Sequence, residues 1–350
     1  MVQSDSQDGS DIAIIGCGGW GTALSLLLEA IGHRVTIWGV DPDYVDQMRE
    51  SRRNPRYLPE VDIPSGIGLS AQMEDCVPSA DVVVMATPTI YLRDVCESVE
   101  PHLDRGSLVV NVAKGIEEET LMVGTDVVKD VCGQDLKIAG LFGPSHAEEV
   151  ARGQPTTVVA ASERPELARR VQDLFMCPTF RVYTNRDLIG VELGAALKNV
   201  IAIAAGICDG LDYGDNAKSA LLTRGLAEIS RLGEAMGARR RTFSGLTGLG
   251  DLITTCVSPF GRNRSVGERI AKGESLDEVV DEMDMVAEGV RTVRSGCELA
   301  SLHGVDMPIF REVYAVLFGG KDPREAGREL MQRAPRPEHD RALAEEEPEN

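Results

Sequence analysis

Two lysines stand in sequence surroundings that are unusual for an ammonium group. Lys198 is the only lysine of the segment GVELGAALKNVIAIAAG, residues 190–206, which is otherwise mostly apolar or small. Burial in such a helix lowers the pKa of an amine toward the range that is useful for proton transfer. Lys114 follows an apolar run in VAKGIE, and the carboxyl end of a parallel strand faces the ligand crevice of an open sheet. We interpret both lysines as candidates for acid–base chemistry, against the alternatives of a Lys198 side chain that extends to the surface and a solvated Lys114.

A second stretch, SGLTGLGDLITTCVSPFGRNRSVG at residues 244–267, combines glycines, a carboxylate and a basic cluster. Asp251 and Thr255 are four residues apart, so they share one face of a short helix. Arg262 and Asn263 stand side by side and offer a fork of donors that suits a phosphate. Basic clusters are commonly just solvated, but this one interrupts a strongly acidic chain, which favours an anion site.

Four of the six positions from Gly16 to Gly21 are glycine, directly after an apolar run and before a helical pattern. This arrangement fits GxGxxG, in which Gly16 makes the turn, Gly18 lets a pyrophosphate approach the backbone, and Gly21 lets helix and strand pack closely. Asp41 lies twenty residues beyond Gly21, where a carboxylate can accept hydrogen bonds from the adenosine ribose. The sequence therefore predicts a site for NAD or NADP rather than a merely tight turn.

Short apolar runs alternate with helical patterns over the first half of the chain. Runs such as DVVVMA at 81–86 are typical of strands that are buried on both faces of a parallel sheet. After TFRVYTN at 179–185 the pattern turns helical. The sequence predicts an α/β Rossmann-type dinucleotide-binding domain with a mostly parallel sheet, followed by an all-α C-terminal substrate domain. The predicted segments are a disordered N-terminus at 1–10, the dinucleotide-binding domain at 11–186, the helical substrate domain at 187–333 and an acidic, disordered tail at 334–350.

Composition argues against several classes of protein. A formal net charge of −20 disfavours nucleic-acid binding, because phosphate backbones attract basic surfaces. No run approaches the roughly 20 consecutive apolar residues that span a bilayer, and the polar N-terminus does not resemble a signal peptide. The eight cysteines form no CxxC pair, which favours a reducing cytoplasm over secretion. We expect no metal site.

Seven motifs give the chain a family resemblance. They are GxGxWG at 16–21, Ala-Lys-Gly at 113–115, GPS-A at 143–147, LKN at 197–199, SGLxGxGDLxxTC at 244–256, RNR at 262–264 and Glu-Gly at 288–289. In this order and spacing they resemble the soluble NAD(P)-dependent sn-glycerol-3-phosphate dehydrogenase family, from Ile12 to about Glu329. The resemblance implies reversible hydride transfer between NAD(P)H and dihydroxyacetone phosphate, giving sn-glycerol 3-phosphate, between a cofactor domain and a helical domain.

The resemblance also implies roles for individual residues. The family's proton acceptor falls on Lys198, and the implied catalytic set is Lys198, Lys114 and Asp251. The implied substrate-binding residues are Lys114, Gly143, Ser145, Lys198, Asn199, Asp251, Thr255, Gly261, Arg262 and Asn263. The implied cofactor-binding residues are Gly16, Gly18, Gly19, Trp20, Gly21, Asp41, Lys114, Ala147, Arg262 and Glu288.

Two positions depart from the family's pattern. Val40 stands where many bacterial members have a basic residue or histidine, so we expect NAD to be preferred over NADP. Gly261 stands where many have serine, which removes one hydroxyl that could contact a phosphate.

Two rival functions stay open on the sequence alone. A dehydrogenase of a 3-hydroxy acid would also have a Rossmann domain and a Lys-Asn pair on a helix. Its substrate carries a carboxylate, however, and the SGLxGxGD and RNR stretches would then have no evident function. The second rival is a non-catalytic NAD-binding sensor, in which Lys114, Lys198 and Asp251 would have no chemical function. The aliphatic faces of the helical domain are compatible with a homodimer.

Overall fold

The valine- and isoleucine-rich runs of the first half form a sheet, and the second half is helical. The computed structural model describes residues 9–335 and 337–338. The predicted disordered N-terminus and acidic tail therefore lie mostly outside the described residues. The strands are β1 (Asp11–Ile15), β2 (Arg34–Trp38), β3 (Arg53–Asn54), β4 (Leu58–Asp62), β5 (Gly68–Ser70), β6 (Val82–Met85), β7 (Leu108–Asn111), β8 (Lys137–Phe142), β9 (Thr156–Ala161) and β10 (Phe180–Asn185).

The helices divide between the two halves of the chain. Those that cover the sheet are α1 (Gly19–Ala30), α2 (Pro42–Ser51), α3 (Leu92–Val99), α4 (Gly124–Cys132), α5 (Ala147–Ala151) and α6 (Pro165–Phe175). Those of the second half are α7 (Leu188–Gly210), α8 (Gly214–Ala235), α9 (Arg240–Phe243), α10 (Asp251–Val257), α11 (Arg262–Ala271), α12 (Leu276–Asp281), α13 (Glu288–Leu302), α14 (Pro308–Phe318) and α15 (Pro323–Met331).

Eight strands form one sheet in the order β10-β9-β8-β7-β6-β1-β2-β5. Every residue of β6 and β7 is buried, as strands covered on both faces require. β1 pairs with β2 on one side and with β6 on the other, so the strand order reverses beside β1. A ligand crevice opens at such a point, beyond the carboxyl ends of the strands. The predicted Rossmann-type, mostly parallel sheet followed by a helical domain is confirmed.

Two features of the first half were not foreseen. β9 runs antiparallel to β8, and the connection between them contains only the five-residue α5. Neighbouring parallel strands are usually joined by a longer helical crossover. The short connection between β8 and β9 is therefore consistent with their antiparallel pairing. β3 and β4 form a separate antiparallel pair after α2, and the turn between them brings Tyr57 to the crevice.

The central helix of the second half is α7, which packs against α8, α10, α11 and α13. Its small residues allow close contact, because a Cβ on Gly206 would lie 1.8 Å from the carbonyl oxygen of Arg264 on α11. The reciprocal position on α11 is Gly267, whose Cβ would lie 1.9 Å from the carbonyl oxygen of Ile203. The unusual composition of α7 is therefore explained by the approach of two helix backbones.

The sequence has no run of about 20 consecutive apolar residues, but within the described residues one helix, α7, qualifies the expectation of no membrane-spanning segment. By length and composition alone this helix could cross a membrane, because its mean hydropathy is 1.7 over its most apolar 18-residue window. However, 94% of that window is buried inside the protein. The small residues that raise the hydropathy pack against neighbouring helices, so α7 is the core helix of its domain.

Candidate active site

A cavity of about 230 Å³ opens where β1, β6 and β7 end and α7, α10 and α11 approach. Most of the predicted site residues meet on its wall: Gly18, Gly19, Trp20, Lys114, Ser145, Ala147, Lys198, Asn199, Asp251, Thr255, Gly261, Arg262, Asn263 and Glu288. Four others are not among its lining residues: Gly16, Gly21, Asp41 and Gly143. The predicted cofactor side and substrate side thus share one cleft.

The buried Lys198 and the half-buried Lys114 share one carboxylate in this cleft. Lys198 Nζ donates to Asp251 Oδ1 at 2.7 Å, and Lys114 Nζ donates to Asp251 Oδ2 at 2.9 Å. Lys198 Nζ also donates to the Thr255 hydroxyl, and Lys114 Nζ to the carbonyl oxygen of Gly143 at 2.8 Å. An ammonium has three hydrogens, so these contacts leave each lysine one donor for a ligand.

The electrostatics of the cluster follow from burial. Lys198 is 4% exposed and Asp251 2%, which excludes a Lys198 side chain that extends to the surface. Loss of water lowers the pKa of Lys198 to about 8; Asp251 opposes the shift, and the Lys114 ammonium adds to it. Burial alone would raise the pKa of Asp251, but the two ammonium groups hold it below its ordinary value. At neutral pH the cluster carries two positive charges and one negative charge.

Tight backbone packing positions Asp251. It is the first residue of α10 and follows a π-helical turn at Leu246–Gly250. A Cβ on Gly248 would lie 1.9 Å from the carbonyl oxygen of Phe243, and one on Gly194 of α7 would lie 2.8 Å from that of Thr247. These glycines let α7 approach the turn and bring Lys198 to the start of α10. Single π-helical turns inside helical segments are frequent at functional sites.

The glycine-rich loop fits the diphosphate of a dinucleotide. Gly16 has φ +127°, which favours glycine, and a Cβ on Gly21 would lie 2.1 Å from the Gly16 carbonyl oxygen. Gly18 precedes α1 without any side-chain cap, so the first N–H groups of the helix stay available for an anion. A Cβ on Gly18 would meet no atom within 4 Å. That open face is where a ligand can come close to the backbone.

Asp41 also has a structural role, for which its place directly before Pro42 was a signal. Its Oδ1 accepts hydrogen bonds from the backbone N–H groups of Asp43 and Tyr44, at 3.1 and 3.2 Å, and so caps the N-terminus of α2. The neighbouring Val40 is 75% exposed. The end of β2 therefore presents a carboxylate and an apolar side chain.

The predicted anion side is built on the start of α11. Gly261 is the N-cap of this ten-residue helix and gives it no side-chain cap. Arg262 is exposed, with Nη1 donating to the Val286 carbonyl oxygen at 3.1 Å, while the buried Asn263 accepts from the Gly289 N–H at 3.0 Å. A Cβ on Gly261 would lie 2.6 Å from the Thr255 carbonyl oxygen, so this backbone has no room for a serine there.

Sequence reasoning missed His146 and Phe260, which both line the cavity. Their rings lie 5.8 Å apart across the cleft. Within the described part of the chain, the buried side-chain nitrogens without a hydrogen-bond partner are His146 Nε2 and Trp20 Nε1, and both residues line the cavity. Burial and then the Lys198 ammonium lower the pKa of His146. The only signal for His146 in the sequence was its position between Ser145 and Ala147 in the GPS-A motif.

Glu288 connects the two domains at the edge of the cavity. Its Oε1 accepts from both the N–H and the hydroxyl of Thr89, at 2.9 and 2.8 Å. Thr89 follows β6 in the first domain, and Glu288 begins α13 in the second. This predicted cofactor residue is therefore held at the domain boundary.

Comparisons with known proteins agree with this architecture. The family models for the N-terminus and the C-terminus of NAD-dependent glycerol-3-phosphate dehydrogenase match residues 11–168 and 187–328. The chain is 50% identical over 332 residues to a glycerol-3-phosphate dehydrogenase [NAD(P)+] of Salinibacter ruber, covering 94% of this chain and 97% of the relative. It is 47% identical to that of Syntrophotalea carbinolica, covering 94% and 100%.

A solved structure gives the same result. The crystal structure of glycerol-3-phosphate dehydrogenase from Coxiella burnetii superposes with a TM-score of 0.90 at 34% identity, covering 93% of this chain and 100% of that one. On the family models, the relatives and this structure, the chain belongs to the NAD-dependent glycerol-3-phosphate dehydrogenase family.

Proposed function

We propose that the protein is an NAD(P)-dependent glycerol-3-phosphate dehydrogenase that interconverts dihydroxyacetone phosphate and sn-glycerol 3-phosphate. The observation that carries this proposal is the cluster in which the buried Lys198 and the half-buried Lys114 share Asp251, in the same cavity as the glycine-rich loop. A proton-transfer group and a dinucleotide loop in one cleft are what a carbonyl reduction by hydride requires.

Lys198 is the proposed proton donor. When bound, NAD(P)H would supply the hydride for the carbonyl carbon of the substrate. Below a pKa of about 8 the Lys198 ammonium stabilises the negative charge that grows on the carbonyl oxygen and gives that oxygen its proton. In the oxidation direction the neutral amine accepts the hydroxyl proton. Asp251 orients Lys198, and Lys114 adds positive potential beside it.

The start of α11 is the proposed phosphate site. Arg262, Asn263 and the uncapped helix N-terminus together offer charged, amide and backbone donors. Binding the phosphate there would hold the reacting carbon near Lys198 and remove much of the entropic cost of orientation. Ser145, Asn199 and Thr255 line the remaining wall of the cavity.

The glycine-rich loop and the start of α1 would hold the cofactor diphosphate, and Trp20, Ala147 and Glu288 line the cavity nearby. We propose that NAD is preferred, because Asp41 offers a carboxylate to the ribose and Val40 offers no cation to a 2′-phosphate. Nearby arginines are engaged elsewhere: Arg49 with the Leu69 carbonyl and Asp46, Arg52 with the carbonyls of residues 63, 64 and 67, and Arg53 with Asp62.

The assay that tests the function follows oxidation of NADH and NADPH in parallel with dihydroxyacetone phosphate as substrate. The matched control substrate is 2-methyl-3-oxopropanoate, which carries a carboxylate instead of a phosphate. We expect reduction of dihydroxyacetone phosphate and little reduction of the control. Preference for the control would indicate a 3-hydroxy-acid dehydrogenase, and stoichiometric NADH binding without turnover would indicate a sensor.

Cytoplasmic residence and a homodimer belong to the same proposal. All eight cysteines are free thiols, which fits a reducing compartment. Val257 at 61% and Leu302 at 69% are exposed apolar side chains of the helical domain that a dimer interface would cover. Sedimentation velocity of the purified chain tests the dimer directly, since a monomer at micromolar concentration contradicts it.

A further inference from the structure

Glu192 is a buried carboxyl group that the proposed mechanism does not use. It is 3% exposed and lies on α7, seven residues before Asn199 and on the same face of the helix. Its Oε1 accepts from Asn111 Nδ2 at 3.1 Å and from the Thr125 N–H at 2.9 Å, and its Oε2 accepts from the Thr125 hydroxyl. An acidic side chain buried to this degree is uncommon unless its oxygens are fully hydrogen-bonded.

The contacts of Glu192 lead to the active-site lysine of the first domain. Asn111 ends β7, and its Oδ1 accepts from the N–H of Ala113 at 3.1 Å. The next residue is Lys114, whose carbonyl oxygen accepts from Asn199 Nδ2 at 3.1 Å. One face of α7 therefore holds the backbone at residues 113–114 at two points, the N–H of Ala113 through Asn111 and the carbonyl oxygen of Lys114 through Asn199.

Packing makes this link stiff. Asn111 is 0% exposed, and a Cβ on Gly124 would lie 2.3 Å from Asn111 Nδ2. The asparagine side chain is thus enclosed between the start of α4 and Glu192. Because Lys114 Nζ in turn donates to Asp251 at 2.9 Å, the position of its backbone decides how the two lysines share that carboxylate.

We propose that Glu192 is a positioning residue for the dehydrogenase reaction, which acts through Asn111 to fix Lys114 against Asp251. The alternative is that Glu192 only caps α4 through Thr125, which would make it important for stability alone. The inference rests on the proposed function, since it concerns the same lysine cluster.

The test compares Glu192→Ala and Glu192→Gln in the full chain, with and without Lys114→Met. We expect Glu192→Ala to lower kcat for dihydroxyacetone phosphate reduction about 10-fold, a typical effect of losing a group that orients an active-site ligand. Glu192→Gln keeps an acceptor and the side-chain shape, so its kcat should stay within about threefold of wild type. In the Lys114→Met background, Glu192→Ala should change kcat less than about twofold, because the residue through which it acts is gone.

A second readout separates positioning from stability. The charged and titratable groups that act on Lys198 are Asp251, Lys114, Cys256 and His146, and the Lys114 ammonium lowers the pKa of Lys198. Displacement of Lys114 in Glu192→Ala, like loss of its ammonium group in Lys114→Met, should therefore raise the pKa of Lys198. The alkaline limb of the kcat profile for reduction should then move to higher pH in both variants. Loss of a helix cap alone would lower the melting temperature and leave that limb in place.

Two further variants keep the proposal testable if Glu192→Ala does not fold. Asn111→Ser breaks the link to Ala113 but leaves the contacts of Glu192 with Thr125, and it should reproduce the loss of kcat and the shifted pH limb. Glu228→Gln is the matched control, because Glu228 is an equally buried carboxyl that accepts from the N–H groups of Ile309 and Phe310, away from the cavity. We expect it to lower the melting temperature with kcat unchanged.

The outcomes are distinguishable. A wild-type protein that does not reduce dihydroxyacetone phosphate overturns the proposed function. With an active wild type, the positioning role is overturned if Glu192→Ala lowers kcat by the same factor in both backgrounds, or if Asn111→Ser leaves kcat and the pH limb unchanged.

Discussion

The two walls of the cleft are built in different ways. The wall after β1 is built from backbone: Gly16 makes the turn, Gly21 permits close packing, and Gly18 leaves space beside free N–H groups. The opposite wall is built from buried side chains, in which Lys198 and Asp251 pair at 2.7 Å. A site built from backbone N–H groups requires that no side chain blocks the ligand. A site built from side chains requires that a few charged groups are held in place away from water.

This difference decides what a substitution can damage. At the glycine wall, an added methyl group changes the shape of the backbone site, so we expect it to act on binding of the proposed cofactor or on folding. At the lysine wall, we expect a removed charge to act on the proposed reaction, because an ammonium group with a pKa of about 8 exchanges protons readily near neutral pH. The chain as a whole carries −20, yet this wall is locally positive, which suits an anionic substrate and a growing oxyanion.

The largest expected effect is at Lys198. Lys198→Ala removes the proton donor and its charge, so kcat should fall at least ~10²-fold with NADH affinity nearly intact. Steady-state kinetics and a fluorescence titration with NADH measure the two quantities. Lys272→Ala, which changes an exposed lysine of the same domain, is the control, and near-normal turnover of Lys198→Ala would overturn the assignment.

Arg262 should affect substrate binding more than chemistry. Arg262→Ala should raise the KM for dihydroxyacetone phosphate by the equivalent of roughly 1.5–3 kcal/mol through lost charge-assisted contacts, with a smaller loss of kcat. Arg262 is exposed, so the melting temperature should not change. The control is the exposed Arg241→Ala, and an unchanged KM in Arg262→Ala would contradict the phosphate site.

The pH dependence should run in opposite directions for the two reactions. Reduction needs the protonated Lys198, so its kcat should be flat below the pKa of about 8 and fall about 10-fold per pH unit above it. Oxidation needs the neutral amine, so its kcat should rise through the same range. Parallel pH profiles at saturating substrate measure both limbs, and limbs that move in the same direction would exclude Lys198 as the group that transfers the proton.

The fold was largely predictable because its causes are local. Runs of valine and isoleucine indicated strands covered on both faces, and Gly16, Gly18 and Gly21 indicated the loop before α1. The antiparallel β9 was not predictable, since its direction depends on where the short α5 sends the chain. Strand direction is a property of the connection in space and leaves no pattern within the strand itself.

The site was predictable residue by residue but not as an arrangement. Lys198 stood out as the one ammonium in an apolar helix. That Lys114 would share Asp251 with it could not be read from local patterns, because 137 residues separate Lys114 from Asp251. The unpartnered His146 Nε2 also depends on tertiary geometry, whereas the capping role of Asp41 is local, since its partners are Asp43 and Tyr44.

Two glycines of one loop should respond differently to the same methyl group. Gly18→Ala meets no atom within 4 Å, so it should leave the melting temperature unchanged and weaken NADH binding about 10-fold, because the methyl occupies the approach to the backbone. Gly21→Ala would place its Cβ 2.1 Å from the Gly16 carbonyl oxygen, so it should lower the melting temperature. Isothermal titration and thermal unfolding check both, and equal melting temperatures for the two variants would contradict the comparison.

The smallest expected effect concerns the choice between NADH and NADPH. Wild type should show the higher kcat/KM with NADH, because a 2′-phosphate near Asp41 would meet like charge and Val40 supplies no cation. Val40→Arg should raise the NADPH-to-NADH ratio of kcat/KM by up to about fivefold, since an exposed ion pair contributes roughly 0.2–1 kcal/mol. Val40→Leu is the control for side-chain bulk and should leave the ratio unchanged. A wild-type preference for NADPH would contradict the prediction and direct attention to Arg56, whose guanidinium lies over the rings of Tyr44 and Tyr57 at 5.1 and 5.8 Å.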